Sequence, residues 1–162
     1  MGPKTKASLH KGTVLAKPLG RLTCKKSHCS GAILRMVAPG LSLVYRPDLE
    51  VLIARWQREI SPAELKSGYE AVLVSADEAL CNRWLLDLRR REDVIEPVVN
   101  AWFTHEFAPS LRGRYVLPVR LAFLVSPLRA QQPVTAMVAA SATDCQLATF
   151  TDEAHAYHWL GC

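Results

Sequence analysis

Residues 50–88 read EVLIARWQREISPAELKSGYEAVLVSADEALCNRWLLDL, and their pattern decides the fold. The stretch opens on an apolar, β-branched run, Glu50–Trp56, and closes on a second apolar run, Arg83–Leu88. Between them, Ser61-Pro62-Ala63-Glu64 is a helix-start signature. The Ser61 hydroxyl can accept from the Glu64 amide, and the Glu64 carboxylate can accept from the Ser61 amide. Pro62 takes the first helical position, where its missing N–H costs nothing. Leu65, Tyr69, Val72, Leu73, Ala76 and Leu80 then recur at spacings of three and four, which predicts an amphipathic helix of about 18–20 residues. Gly68 lies inside it at some cost in helix stability. A strand, a helix and a strand in this order form a parallel pair with a right-handed crossover.

The pattern extends in both directions. Upstream, LSLVYR (41–46) alternates as a half-buried strand does, and the Pro47-Asp48 turn predicts a hairpin with the run that follows. Downstream, Asp93 or a neighbour opens a second helix holding Val94, Ile95, Val98, Val99, Trp102, Phe103, Phe107 and Leu111, with Pro97 in its first turn. PVRLAFLVS (118–126) is the most apolar strand, 127–142 is an Ala-rich helical stretch, and 146–150 is a short last strand. Thr151 or Asp152 caps a final helix that ends at Leu160. The expected order is β-β-α-β-α-β-α-β-α, an α/β domain over residues 41–162 with a mixed sheet of about five strands and four helices.

Residues 1–40 differ in kind. Up to Met36 they hold eight Lys/Arg and no Asp or Glu, with Gly2, Gly12, Gly20 and Gly31 interrupting any period. The expectation is a basic, disordered leader: an arm for an anionic partner, an idle tail, or a stretch upstream of a true start at Met36. The formal charge of +5 therefore leaves twelve basic residues against fifteen acidic ones in the remainder. The high isoelectric point is then no argument for a nucleic-acid-binding fold, and no nucleic-acid partner is expected. No apolar run is long enough for a membrane span or a signal peptide. With five irregularly spaced cysteines, reduced thiols in the cytoplasm are expected.

The helix start SPAELKSGYE, the strand RWLLDLRRR, the Trp102-containing helix, the strand PVRLAFLVSP and the terminal TFTDEAHAYHWL together resemble the STAS-like family, in particular small bacterial proteins of STAS/SEC14 type, over about residues 41–160. The resemblance implies the sporulation anti-sigma-factor-antagonist fold and a non-enzymatic binding or regulatory role, with a protein or small-ligand partner and a homodimer among its forms. Regulatory members carry a phosphorylatable Ser or Thr in the turn after the third strand. Here that turn reads Leu88-Arg89-Arg90-Arg91, and no hydroxyl residue occurs from 85 through 103. A phospho-switch of the usual kind is therefore not expected.

Arg89–Arg91 follow the carboxyl end of a buried strand, where open α/β sheets place ligand crevices. Ser126 and Arg129 belong to the same end of the neighbouring strand. Asp87, Arg89, Arg90, Arg91, Ser126 and Arg129 thus form a candidate pocket for phosphate or carboxylate. The plain alternative pairs the arginines with Glu92, Asp93 and Glu96 on a solvated surface.

Other chemistry is weakly signalled. Cys24, His28 and Cys29 lack a fourth zinc ligand in ordered sequence, and neither His105-Glu106 nor His155 and His158 make a metal or base motif. No metal or cofactor is expected. Phosphate-loop, dinucleotide and nucleophile-elbow signatures are absent. Cys81 and Cys145 read as small core residues, and Trp56, Trp84, Trp102 and Trp159 as core or wall aromatics. The leading expectation is a non-enzymatic STAS-like binding module. A carrier of a small apolar or anionic, lipid-like ligand comes second, and an unrecognised enzyme third.

Overall fold

The two apolar runs and the capped helix between them form the predicted strand–helix–strand unit at the centre of the sheet. A computed structural model of the chain describes residues 2, 33–38, 40–91, 96–131 and 145–162. The strands are β1 (Ile33–Ala38), β2 (Leu41–Arg46), β3 (Val51–Trp56), β4 (Arg83–Asp87), β5 (Val119–Leu124) and β6 (Cys145–Phe150). They lie side by side in that order. β1, β2 and β3 pair antiparallel, and β3 through β6 pair parallel. The mixed α/β sheet agrees with expectation, but it has six strands. β1 occupies residues assigned to the leader and pairs with β2 from Ile33↔Tyr45 to Ala38↔Leu41, so the sheet begins before residue 41.

The β2–β3 hairpin turns through residues 47–50, closed by Leu49 N–H donating to the Arg46 carbonyl at 3.2 Å. Helix α1 (Pro62–Ala79) carries both bonds of the expected capping box: Glu64 N–H donates to Ser61 Oγ at 3.3 Å, and Ser61 N–H donates to Glu64 Oε2 at 2.8 Å. Hydrogen bonds from Arg58 and from Ser61 hold the Glu64 carboxyl down at about 2. Gly68 faces Trp56 so closely that a Cβ there would stand 3.2 Å from the indole Nε1 and 3.4 Å from Leu41 Cδ2. The helix therefore trades some propensity for a closer seat on the sheet.

The second helix departs from expectation. It runs as α2 (Pro97–Trp102), a π-helical turn (Phe103–Phe107) and the short α3 (Ala108–Ser110). Pro109 has no N–H and its ring crowds the carbonyl four residues back, which breaks α-helical bonding here. Ala108 N–H reaches instead to the Phe103 carbonyl. Val98, predicted on the apolar face, is exposed. The third helix, expected over 127–142, is described only as α4 (Pro127–Ala130). Its remainder lies outside the described residues, as do Val94, Ile95 and the C-x3-H-C cluster. Helix α5 (Glu153–Leu160) is capped by Asp152 Oδ1, which accepts from His155 N–H at 2.9 Å.

The sheet is covered on both faces. Leu52, Ala54, Trp56, Trp84, Leu86, Leu121 and Phe123 pack with α1 and with the α2–α3 segment. The alternate residues Val51, Ile53, Leu85, Ala122 and Leu124 pack with Ala156 and Leu160 of α5. Burial in the first layer pushes the Cys81 thiol up, and burial carries Cys145 to about 11, so both stay protonated core residues.

Two stability outcomes follow. Gly68→Val places a branched side chain against a buried indole and should cost about 1–3 kcal/mol in urea unfolding; an unchanged midpoint would defeat the close-packing account. A chain starting at Met36 loses Ile33, Leu34 and Arg35, three of the five register pairs of β1. It should melt several degrees below a chain starting at Gly31, for a loss of about 1 kcal/mol. Equal melting temperatures would show that β1 adds nothing.

Candidate functional site

Alternation along a strand sends successive side chains to opposite faces, and this divides the predicted pocket in two. On β4, Trp84, Leu86 and then Leu88 face α1, whereas Leu85 faces α5. Asp87 follows Leu85 toward α5. Register places it beside Arg55 at the end of β3, and Arg55 Nε lies 3.4 Å from Asp87 Oδ2.

The outer half is an ion network. Arg89 grips buried Asp87 with both edges of its fork, Nε to Oδ1 at 3.0 Å and Nη2 to Oδ2 at 2.7 Å. The Arg89 backbone N–H also donates to Oδ1, at 3.2 Å. Glu153, at the start of α5, accepts from Arg55 Nη2 at 2.7 Å and from Arg89 Nη2 at 3.1 Å. The bond to Asp87 is the main reason the Arg89 guanidinium is held above its ordinary pKa. Arg90 Nη1 donates to Gln57 Oε1 at 2.9 Å, and Gln57 in turn donates to Ser42 Oγ at 3.2 Å. Arg55, Trp56, Gln57, Asp87, Arg89 and Arg90 line a crevice of about 320 Å³ at this carboxyl edge.

The inner half lies on the α1 face. Arg91 and Arg129 are 4% and 7% exposed, although they are arginines. Arg129 Nη1 donates to the Arg91 carbonyl at 3.2 Å. Arg91 Nε and Nη1 are buried without a hydrogen-bond partner, and Glu59 Oε2 forms a loose ion pair with Nε at 3.8 Å. Tyr69 is buried in the same region, and the charges of Arg91 and Arg129 oppose the rise that burial imposes on its phenol. Its ring lies 5.2–6.1 Å from those of Trp56, Trp102, Phe103 and Phe107.

Of the six candidate residues, Asp87, Arg89 and Arg90 share the crevice. Arg91 and Arg129 come together through the Arg91 carbonyl and do not line the crevice. Ser126 is the cap of α4, accepting from Arg129 N–H at 3.3 Å. Among the described residues the arginines meet Asp87, Glu153, Gln57 and Glu59. Glu92 and Asp93 themselves lie outside the described residues. Sequence reasoning missed Arg55 and Glu153. The signal for Arg55 was its place as the polar end of one strand, level with Asp87 at the polar end of the next.

His105, Glu106, His155 and His158 are exposed. No group of three or more metal-binding side chains gathers among the described residues. No helix of the described residues is long and apolar enough to cross a membrane. Asp87→Asn should cost about 2 kcal/mol by leaving Arg55 and Arg89 facing a neutral amide, and Glu153→Gln less than about 1 kcal/mol because its carboxylate is wetter. Equal losses in chemical denaturation would contradict this ranking. Compared with protein-family models, with curated proteins and with solved structures, the chain matches none of them.

Proposed function

We propose that the chain is a non-enzymatic STAS-like binding module that takes an anionic ligand at the carboxyl edge of its sheet. One observation carries this reading: Arg55, Arg89, Arg90, Arg91 and Arg129 converge at that edge, where Asp87 and Glu153 pair with Arg55 and Arg89, and Glu59 with Arg91. Among the described residues, Arg90 donates to the neutral Gln57 amide across the crevice. A guanidinium held by an amide keeps its charge available to an incoming anion, whereas one clamped by a carboxylate does not. Trp56 aside, polar side chains line the crevice, a lining better suited to a small anion than to an apolar chain. The STAS-like part of the proposal is supported by element order, an antiparallel opening followed by parallel strand–helix units.

The site favours binding over catalysis on the same geometry. Asp87 has both oxygens committed to Arg89, and the two buried thiols lie in the core away from this edge. Binding at an arginine-lined edge weakens with salt, because ions screen the attraction. Native mass spectrometry of the protein purified from its own host at low ionic strength should show a retained anionic small molecule. Raising the salt during purification should release it. A bare chain at low ionic strength, or retention indifferent to salt, would overturn the reading.

A further inference from the structure

The three guanidiniums that line the crevice do not offer the same charge. Arg89 closes both edges of its fork on Asp87 and adds Glu153 through Nη2. Arg55 meets Glu153 at 2.7 Å and Asp87 at 3.4 Å. These carboxylates offset Arg55 and Arg89, and what an incoming ligand meets is the charge of Arg90. Arg90 is exposed, and among the described residues it bonds through Nη1 to Gln57 Oε1 at 2.9 Å. That leaves the Nε–Nη2 edge of its fork for an acceptor with two oxygens. The amide that holds it is itself aimed. The Ser42 hydroxyl has one hydrogen, which it donates to the Arg55 carbonyl at 3.4 Å. Its oxygen accepts from Gln57 Nε2 at 3.2 Å, so the other end of that amide, Oε1, is turned to Arg90. Ser42 is buried and lies opposite Arg55 in the β2–β3 register. A chain of bonds anchored on the sheet therefore holds Arg90 at the crevice without neutralising it.

We propose that the crevice takes a small monocarboxylate in the fork of Arg90, with Gln57 as the residue that positions that fork. This assignment rests on the anion-binding reading above and names the ligand class for the same site. Charge balance chooses the class. One unspent guanidinium is neutralised by one carboxylate, whereas a dianion brings a surplus negative charge beside the Asp87 carboxylate that lines the same crevice. Shape agrees, because the two oxygens of a carboxylate match the paired N–H groups along one edge of a guanidinium. So does size, since about 320 Å³ is at the small end of ligand pockets.

The test is an NMR titration of the isotope-labelled full chain at neutral pH with acetate, and with sulfate as the dianion, against chloride at equal ionic strength. Acetate should shift the Gln57 side-chain amide and the Arg90 Nε–H signals saturably, at a lower half-saturation than sulfate. Arg90→Gln should raise the acetate half-saturation about tenfold to a hundredfold, the loss of charge-assisted hydrogen bonds. Gln57→Ala leaves the charge of Arg90 but releases its fork, so it should raise half-saturation by less. Gln57→Glu clamps Arg90 with a carboxylate, as Asp87 clamps Arg89. It should abolish saturable acetate binding while the melting temperature holds or rises, an outcome that a poorly folded variant does not imitate.

Sulfate binding more tightly than acetate at the same signals would overturn the monocarboxylate and leave the anion reading standing. Unchanged acetate binding in both Arg90→Gln and Gln57→Glu would overturn Arg90 as the contact. Acetate shifts that never saturate, or that chloride reproduces, would overturn the carboxylate site. The wider reading falls with it only if the protein from its host is also bare at low ionic strength.

Discussion

The structure depends on the fact that β3, β4 and β5 are buried on both faces. A parallel strand so placed has no solvent face, and each successive residue belongs to a different layer. The constraint runs past the apolar centre of the sheet to its carboxyl edge. Leu85 and Asp87 go to the α5 layer, and Trp84, Leu86 and Leu88 to the α1 layer. The arginines that follow inherit this division. Arg89 turns back to Asp87 and Glu153, Arg90 stays with Gln57 in the crevice, and Arg91 enters the α1 layer. Three adjacent residues of one type thus occupy three environments of different dielectric.

Those environments carry different energetic weight. In the outer network, charges have matched partners and access to water, so each pair contributes modestly and the carboxylate of Asp87 matters most because it is the buried member. Inside, the aromatic cluster around Tyr69 and the close seat of Gly68 on Trp56 exclude water from the end of the sheet. Exclusion of water is what makes the Arg91 donors costly when unmatched. The packing that stabilises the core also sets the surroundings of Arg91, so the two are one feature of the fold.

What was legible in the sequence was local. The Ser61–Glu64 box, the 47–50 turn and the Asp152 cap are each decided within a few residues, and each stands where the pattern put it. β1 was not legible, because an edge strand gains its stability from β2 across the hairpin, while Gly31 and the Pro39-Gly40 pair make it read as loop. The π-helical turn was readable in principle from Pro109, but apolar spacing alone favoured one unbroken helix. The run Asp87–Arg91 lies at the carboxyl edge of the sheet, where the strand pattern put it. Its partners were hidden by distance along the chain, since Glu153 is 64 residues from Arg89 and reaches it only because α5 lies on that layer. The split of Arg91 and Arg129 from their neighbours needs the parity of β4 together with the position of α1, neither of which is a property of the arginine run itself.

The charge of the chain takes on a different meaning once these positions are fixed. The part after Met36 is acidic overall, with twelve basic residues against fifteen acidic ones. Within it, α1 carries Glu64, Glu70, Asp77 and Glu78, and Asp77 is drawn below its ordinary pKa by Arg114. At the carboxyl edge Arg55, Arg89 and Arg91 pair with Asp87, Glu153 and Glu59, with Arg90 and Arg129 beside them. On the proposed reading, this arginine-rich edge would attract an anionic ligand even though the part after Met36 is acidic overall. On that reading the local placement of arginines would select the ligand, and the overall isoelectric point, set largely by the residues before Met36, says nothing about it.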